Sequence, residues 1–265
     1  MASLVVFMSD FGLRDPYVAQ VKAVIKSRFP LVEVLDLCHE VPAFCISCAS
    51  YMLYSSFKWF PEDTVFLSVI DPGVGSGRRA LACRSFNRFF IAPDNGLLWQ
   101  ILSEDEESKA FVIDEELIGA REVSYTFHGR DIFAPAAAKL ALTKNLYSVG
   151  YEVPVESLVK LSIKSVCRED DFECFRVIHV DRFGNTVLSA MKNEYKLPEY
   201  GSKVLVKTGD KLSEAVVERT FSRVKEGELA IYYNSFNFIE LGVFMGSASE
   251  KMGVRVGDKV CIKRI

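Results

Sequence analysis

The chain has 265 residues, of which 49% are hydrophobic and 25% charged, and its formal net charge is −3. This composition is typical of a folded globular protein that can bury a sizeable core in one large domain or two smaller ones. Basic residues do not cluster, which disfavours nucleic acid as a partner. Because no apolar stretch approaches the ~20 residues of a membrane span, we expect no membrane partner either.

The first half of the chain alternates strand-like and helix-like patterns. The helix signal is clearest after Asp15-Pro16, where an N-cap residue and a first-turn proline precede apolar residues at helical spacing, and it stops at Phe29-Pro30. Such alternation predicts an α/β domain over residues 1–165, with helices layered on a mixed sheet. The strand-like runs are residues 4–8, 32–37, 65–70, 81–83, 89–92 and 111–113.

The helical pattern nearly disappears after residue 174. Short strand-like runs separated by turns predict a small all-β, barrel-like domain over residues 172–265. The charged stretch Arg168-Glu169-Asp170-Asp171 is the predicted linker between the two domains. The strand-like runs of this second domain are residues 175–180, 204–207, 215–217, 229–233, 238–243 and 260–262.

Seven cysteines occur in a chain whose apolar start is too short for a signal peptide. The odd number and the missing export signal predict a cytoplasmic protein with free thiols rather than a disulfide framework. The stretch Cys45-Ile46-Ser47-Cys48, with Cys38 and His39 just upstream, is a candidate zinc or redox site. We predict no metal there, because a second Cys-x-x-Cys is lacking and cysteine is commonly a small buried apolar residue.

Three polar loops lie where predicted strands or helices meet. Residues 69–79 contain Asp71 and three glycines, which let a ligand approach the backbone closely, although neither nucleotide-binding glycine motif is matched. Residues 124–131 place His128 beside a guanidinium and a carboxylate, directly before a buried-helix pattern. Residues 91–98 again run from a strand into turn residues. Each loop alone is typical of a turn or helix cap, but together they indicate a binding or catalytic site.

Two further segments, Phe7-Met8-Ser9-Asp10-Phe11-Gly12 and Val180-Asp181-Arg182-Phe183-Gly184-Asn185, complete a family pattern. With the three loops, they make the chain resemble the S-adenosylmethionine (SAM) hydroxide adenosyltransferase family over about residues 4–260. These adenosine-forming SAM hydrolases, formerly a domain of unknown function, are related to the fluorinase and chlorinase. The resemblance implies hydrolysis of SAM to adenosine and L-methionine without a cofactor. It also implies a homotrimer whose substrate sites lie between subunits, each β domain completing the site of a neighbouring α/β domain.

The implied reaction needs an activated water. The sulfonium makes the 5′ carbon of SAM electrophilic, and methionine leaves as a neutral thioether, so no leaving-group acid is required. The site must hold the water in line with the carbon–sulfur bond and make it more like hydroxide. The resemblance implies Asp71, Arg78 and His128 for this task, with Arg78 stabilising hydroxide, Asp71 orienting Arg78 or accepting a proton, and His128 completing the hydrogen bonds of the water. The sequence leaves open which group takes the proton.

The resemblance also implies the substrate contacts. Asp10 would accept both ribose hydroxyls, because an ionised acid offers only acceptors. The positions implied at the amino-acid part of SAM are the carboxylates Asp15 and Asp181 and the hydroxyl of Ser235. The positions implied at adenine are Phe183, Asn185, Phe221 and the backbone near Ala248, with Phe44 as an aromatic wall.

Other functions remain possible from the sequence alone. A non-catalytic module that senses SAM or adenosine would keep Asp10 and the aromatic contacts without needing Asp71, Arg78 and His128 together. A metal-dependent phosphoester or nucleotide hydrolase, suggested only by the number of loop aspartates, would need carboxylates clustered around a divalent ion.

A halogenase is disfavoured. A halide site needs neutral donors and apolar walls, whereas Asp71 and His128 stand where the resemblance implies neutral hydroxyl residues in the halogenating relatives, and Gly129 replaces their serine. The connection between residues 83 and 91 is also too short for the extra loop of the fluorinase.

Overall fold

A mixed sheet of seven strands organises the first half of the chain in the computed structural model, which describes residues 3–265. Contacts divide the chain into two units, one ending at Ser162 and the other spanning Ile163–Ile265. The strands of the first unit are β1 (Leu4–Ser9), β2 (Glu33–Cys38), β3 (Val65–Val69), β4 (Ala80–Ser85), β5 (Arg88–Pro93), β6 (Lys109–Ile113) and β7 (Gly150–Val153). They lie in the order β2-β1-β3-β5-β4-β6-β7, parallel from β2 to β5 and antiparallel from there on.

Helices cover this sheet. They are α1 (Tyr17–Arg28), α2 (Ile46–Ser56), α3 (Trp99–Leu102) and α4 (Ala134–Thr143), with 3-10 turns at Phe57–Trp59, Leu146–Ser148 and Val155–Ser157. A π-helical turn, Gly129–Phe133, leads directly into α4. Helices α1 and α4 pack together in one core with Val5, Phe7 and Leu67 of the central strands. Strand β3 is buried along its whole length, as is β1 beyond its first residue, which explains their continuous apolar runs.

A closed barrel of seven strands forms the second unit. The eight strands of this unit are β8 (Val166–Glu169), β9 (Phe172–Val180), β10 (Thr186–Met191), β11 (Lys203–Thr208), β12 (Lys211–Val217), β13 (Leu229–Tyr233), β14 (Phe238–Val243) and β15 (Lys259–Arg264). The ring runs β10-β14-β13-β12-β11-β15-β9 and closes through the pairing of β9 with β10, while β8 adds to β9 outside it. A 3-10 turn, Phe221–Arg223, and the short helix α5 (Ala248–Met252) connect strands. The predicted fold class is therefore confirmed.

Two local predictions are wrong. The stretch of residues 168–171 is not a linker, because it forms the end of β8 and the turn into β9, with Asp170 in the left-handed conformation at φ 52°. Its charges suit an exposed hairpin turn equally well. Asp15 does not cap α1, since the helix begins at Tyr17 with Pro16 at the N-cap and no side-chain capping bond.

The prediction of free thiols is wrong for four of the seven cysteines. Disulfides join Cys45 to Cys48 and Cys174 to Cys261. The first pair begins α2, and the second links residues that face each other on the neighbouring strands β9 and β15. An odd number of cysteines does not exclude individual disulfides, because a helix start or the register of two strands can bring two cysteines together.

No helix within residues 3–265 has both the length and the apolar character required to span a membrane.

Candidate active site

The ends of two neighbouring parallel strands carry the first predicted site residues. Strand β1 ends at Ser9, directly before Asp10, and β3 ends at Val69, two residues before Asp71. In a parallel sheet, such carboxyl ends share one edge, where ligands of open α/β sheets bind. A cavity of about 270 Å³ opens there, and it is lined by Asp10, Phe44, Asp71 and His128 among others.

The structure brings Asp71, Arg78 and His128 into direct contact. The Nε–H of Arg78 donates to both carboxylate oxygens of Asp71, at 2.9 and 3.0 Å, and a terminal N–H of Arg78 makes a further short bond to Oδ2. The same terminal nitrogen lies 2.9 Å from Nδ1 of His128. The Arg78 guanidinium also packs on the ring of Phe133, at 5.1 Å from its centre. One guanidinium thus joins the loop after β3 to the π-helical turn.

These contacts fix the protonation of His128. Because a guanidinium only donates hydrogen bonds, Nδ1 of His128 has to accept, and the proton of the neutral ring is on Nε2. Burial lowers the pKa of His128 below its ordinary value, and the positive charge of Arg78 lowers it further, although Asp71 acts in the opposite direction. The ring is therefore neutral near pH 7 and offers an N–H from Nε2.

Two glycines allow the loops to come this close. A Cβ on Gly75 would lie 2.4 Å from the carbonyl oxygen of Tyr125, and Gly75 also has a φ of 77°. A Cβ on Gly129 would lie 3.2 Å from the rings of Phe11 and Phe127. The close approach of the loop after β3 to Tyr125 therefore requires glycine at position 75, and Gly129 makes room for the neighbouring rings.

Arg79, the neighbour of Arg78, has a different partner. Its guanidinium donates to the buried carboxylate of Asp94 and to the carbonyl oxygen of Ser157. Asp94 also accepts from the backbone N–H of Val159 at 2.9 Å. This pair ties the loop after β5 to residues 157–159, so the structure explains Arg79 and Asp94 as loop anchors.

Asp10 and Phe44 are joined at the mouth of the cavity. The backbone N–H of Phe44 donates to Oδ2 of Asp10 at 2.9 Å, and the Phe44 ring is 70% exposed. This geometry holds the Asp10 carboxylate at the cavity wall. Asp15 lies in the exposed segment before α1 and outside the lining of this cavity.

Three aromatic residues of the cavity were missed by sequence reasoning. The rings of Phe11, Tyr17 and Phe127 pack against one another, with centres 5.1 to 5.8 Å apart. They form an apolar wall that can exclude water from a bound ligand. Their positions in the sequence could have indicated them, because Phe11 follows Asp10 and Phe127 precedes His128, both predicted site residues. Tyr17 begins α1.

Asp181 organises the turn before β10 in the second unit. Its carboxylate accepts hydrogen bonds from the backbone N–H groups of Phe183 (2.9 Å) and Asn185 (2.8 Å) and from the Asn185 side chain (2.8 Å). Asn185 is buried in this arrangement, whereas the ring of Phe183 remains 75% exposed. An exposed ring on a rigid turn is suited to stacking on a flat ligand.

The segment that contains Ala248 packs against this turn. The backbone N–H of Ser249 donates to the carbonyl oxygen of Gly184 at 2.9 Å, and a Cβ on Gly184 would lie 2.1 Å from Oγ of Ser247. Ala248 itself is fully buried at the start of α5. The structure thus places Asp181, Phe183, Asn185 and Ala248 in one region of the barrel.

Two further predicted contacts of the second unit, Phe221 and Ser235, lie close to strands β13 and β14. Phe221 packs at 6.1 Å from the ring of Tyr232, and Ser235 is exposed in the turn between β13 and β14. The hydroxyl of Tyr232 donates to Glu240 at 2.7 Å. Burial raises the pKa of Glu240, although this hydrogen bond acts against the rise. Sequence reasoning missed the pair, and the signal was an acidic residue within an apolar strand.

The zinc arrangement considered around Cys45 and Cys48 is not formed. The two sulfurs are bonded to each other. The ring nitrogens of His39 contact Oγ of Ser9 at 2.7 Å and the carboxylate of Asp36 at 3.0 Å. His39 therefore supports the end of β1 rather than a metal.

Potential metal ligands elsewhere in the described chain, residues 3–265, come together at Cys167, Glu169 and Cys174. Cys174 is bonded to Cys261, so its sulfur is not a thiolate that could bind a metal.

Two family models match the sequence of the chain. The SAM hydroxide adenosyltransferase N-terminal domain matches residues 5–150, and the C-terminal domain of the same family matches residues 175–261. The chain belongs to the SAM hydroxide adenosyltransferase family.

Individual relatives extend over nearly the whole length. The chain is 39% identical to the (R)-S-adenosyl-L-methionine hydrolase of Thermus thermophilus, over 97% of this chain and 98% of that protein. It is 25% identical to the fluorinase of Actinopolyspora mzabensis, over 98% and 97%. A solved structure of an uncharacterized conserved protein from Thermotoga maritima is 37% identical, with a TM-score of 0.90 over 98% of this chain and 100% of that one.

The contact between Arg78 and His128 predicts opposite pKa changes in two variants. Arg78→Gln should raise the pKa of His128, because a neighbouring positive charge is removed while Asp71 remains. Asp71→Asn should lower it, because a negative neighbour is removed while the positive charge of Arg78 remains. NMR titration of the ring protons measures both, and His128→Asn identifies the resonance among the three histidines. Shifts of the same sign in the two variants would contradict the described contact.

Proposed function

We propose that the protein hydrolyses SAM to adenosine and L-methionine without a cofactor. The observation that carries the proposal is the contact of Asp71, Arg78 and His128 beside a cavity lined by Asp10. Family membership and the curated relatives named (R)-S-adenosyl-L-methionine hydrolase support it. A non-catalytic binding module would have no need of this polar cluster.

The attacking water is held by the cluster in this proposal. Arg78 places positive charge next to the water and favours its hydroxide-like form. Nε2–H of neutral His128 donates a hydrogen bond that orients the water. The apolar wall of Phe11, Tyr17 and Phe127 excludes bulk solvent, which strengthens both interactions.

Asp71 is the proposed proton acceptor. Arg78 can only donate, and the Nδ1 lone pair of His128 is engaged by Arg78, so Asp71 is the one member of the cluster that keeps free acceptor capacity. A weak base suffices here. As the carbon–oxygen bond forms, the attacking water becomes a protonated alcohol, which is a strong acid, and a carboxylate can accept its proton late in the reaction.

The remaining residues are proposed to hold the substrate. Asp10 binds the ribose hydroxyls beside Phe44, and Phe183 stacks on adenine. We also infer a homotrimer in which barrel residues of one subunit complete the site of its neighbour, an assembly that the family resemblance supports. Asp15, Asp181 and Ser235 keep their proposed places near the amino-acid part of SAM.

The product pattern tests the proposed function directly. Purified protein incubated with SAM in labelled water and a chelator should form adenosine and L-methionine, with the label on the 5′ oxygen of adenosine. Liquid chromatography with mass spectrometry measures products and label. Methylthioadenosine and homoserine derivatives as the main products would mean attack at another carbon and would exclude the proposal.

Variants of the cluster and of the ribose contact should separate catalysis from binding. His128→Ala and Arg78→Ala should each lower kcat about 10²-fold or more while the Kd for SAM stays within a few-fold, because both act on the water. Asp10→Ala should mainly weaken binding, because the ribose is held before reaction. Steady-state kinetics and calorimetry measure the two effects. Equal losses of affinity in all three variants would contradict the assigned roles.

Halide should not replace water. The proposed acceptor Asp71 suits a nucleophile that carries protons, whereas a halide has no proton to give and needs donors that replace its hydration shell. The connection between β4 and β5 is a two-residue hairpin, Phe86 and Asn87, which leaves no room for an additional loop. Incubation with high chloride or fluoride should therefore give adenosine, with SAM hydrolysis in halide-free buffer as the control. A 5′-halogenated deoxyadenosine as the main product would refute the role of Asp71.

A further inference from the structure

The disulfide Cys45–Cys48 lies at the start of α2, beside the cavity. The Cα atoms of the two cysteines are 5.3 Å apart, and Cys45 occupies the N-cap position of this 11-residue helix. The backbone N–H of Cys48 points to the sulfur of Cys45 at 3.4 Å. Cys45 is partly exposed, whereas Cys48 is completely buried. A Cys-x-x-Cys pair with an accessible first sulfur and a shielded second one can undergo thiol–disulfide exchange.

The helix start favours the reduced form of Cys45 as a thiolate. The N-terminal dipole and the N–H of Cys48 both stabilise negative charge on the Cys45 sulfur. This makes Cys45 the sulfur that an external thiol reaches, and it makes Cys48 the internal partner that re-forms the disulfide. The other cysteine pair, Cys174–Cys261, joins two strands of the barrel and lacks a helix start.

Phe44 connects this pair to the cavity. It directly precedes Cys45, has a φ of 64°, and donates its N–H to Asp10 at 2.9 Å. A bulky residue adopts the left-handed conformation only when its surroundings impose it. Two backbone bonds help to hold it, since Cys45 N–H donates to the carbonyl oxygen of Pro42 and Ile46 N–H to that of Phe44. The disulfide adds a covalent constraint immediately after this strained residue.

We propose that Cys45–Cys48 is a thiol–disulfide modification site whose oxidation strengthens ligand binding at Asp10 and Phe44. The part that concerns SAM and adenosine rests on the proposed function. The disulfide holds the first turn of α2 and keeps the Phe44 N–H on the carboxylate of Asp10. Reduction releases Cys45, lets Phe44 leave the left-handed conformation, and loosens the wall against which the ribose binds.

The modification is a balanced exchange with a small thiol or a protein dithiol. A thiolate attacks the sulfur of Cys45, the sulfur–sulfur bond breaks, and Cys48 leaves as a thiolate that takes up a proton. A second thiol then attacks the mixed disulfide and releases Cys45. In total, two thiols lose two electrons and two protons and become one disulfide, while the Cys45–Cys48 disulfide becomes two thiols. Oxidation by a disulfide compound runs the same steps backwards.

The first measurement needs no substrate. The protein is equilibrated with oxidised and reduced dithiothreitol at several ratios, alkylated, and analysed by peptide mass spectrometry, while amide exchange at Phe44 is followed by NMR. Cys45 and Cys48 should titrate as a pair, and reduction should speed exchange at Phe44 about tenfold. The matched control is Cys45→Ser/Cys48→Ser, which keeps both cysteines of the second disulfide, Cys174–Cys261. In this variant, a change of the redox ratio should not alter amide exchange at Phe44. An amide exchange rate at Phe44 that is the same in the oxidised and reduced wild type would overturn the proposed coupling.

The second measurement is binding of adenosine by calorimetry under the same two redox conditions. Reduction should raise the Kd about tenfold, the size expected when one hydrogen bond to a charged group is no longer preorganised. The Cys45→Ser/Cys48→Ser variant should show the weaker Kd under both conditions. A Kd that is equal in the oxidised and reduced wild type would overturn the effect on binding. Failure to bind adenosine at all would instead count against the proposed function, and the exchange experiment would still decide the modification site.

Discussion

The ion pair between Arg78 and Asp71 is the constraint on which the rest of the candidate site depends. Only 10% and 7% of these side chains are exposed, so each charge relies on the other for compensation. Removing one member of a buried pair typically costs about 3–5 kcal/mol, because the remaining charge is left unpaired. The pair therefore holds the loop after β3 in one arrangement. It also orients the Arg78 guanidinium so that a terminal N–H donates to His128.

The π-helical turn supplies the other half of that contact. His128 stands at its N-cap position, and the turn continues into α4 without a break. Single π-helical turns are rare and frequently mark functional sites, because they reposition side chains within an otherwise regular helix. Here the turn brings the imidazole to Arg78 while α4 stays packed on α1 and the sheet. Gly129 lets the aromatic wall pack closely on this turn, since a Cβ there would lie only 3.2 Å from the rings of Phe11 and Phe127.

The sequence predicted the features that local patterns determine. Strands β1 and β3 were recognisable because burial on both faces leaves continuous apolar runs, and α1 because its apolar residues recur at helical spacing. The grouping of Asp71 with Arg78 came from a family pattern rather than from spacing, since a bare sequence does not distinguish Arg78 from Arg79. Their partners in the structure, Asp71 and Asp94, do so.

Two of the wrong predictions concern features that depend on tertiary contacts. Residues 168–171 have the composition of a linker, yet the register of β8 on β9 makes them a hairpin turn. The pairing of Cys174 with Cys261 joins residues 87 positions apart through a strand register that their spacing does not reveal. Glu240 was hidden for a related reason, because its partner Tyr232 lies directly across the β13–β14 pair.

In the proposed reaction, the polar cluster of the first unit acts on the nucleophile rather than on the leaving group. A neutral thioether leaves without protonation, so a hydrolase of SAM gains nothing from an acid at the leaving group and gains most from placing a water in line. In the proposed function, the cluster of Asp71, Arg78 and His128 would meet that demand, and the exposed rings of Phe44 and Phe183 would contact the substrate. An enzyme organised in this way depends on how firmly the ribose is held, because a small displacement of the 5′ carbon misaligns the attack. For that reason the bond from Phe44 to Asp10, and the cysteine pair beside it, is where control over the reaction would act most directly.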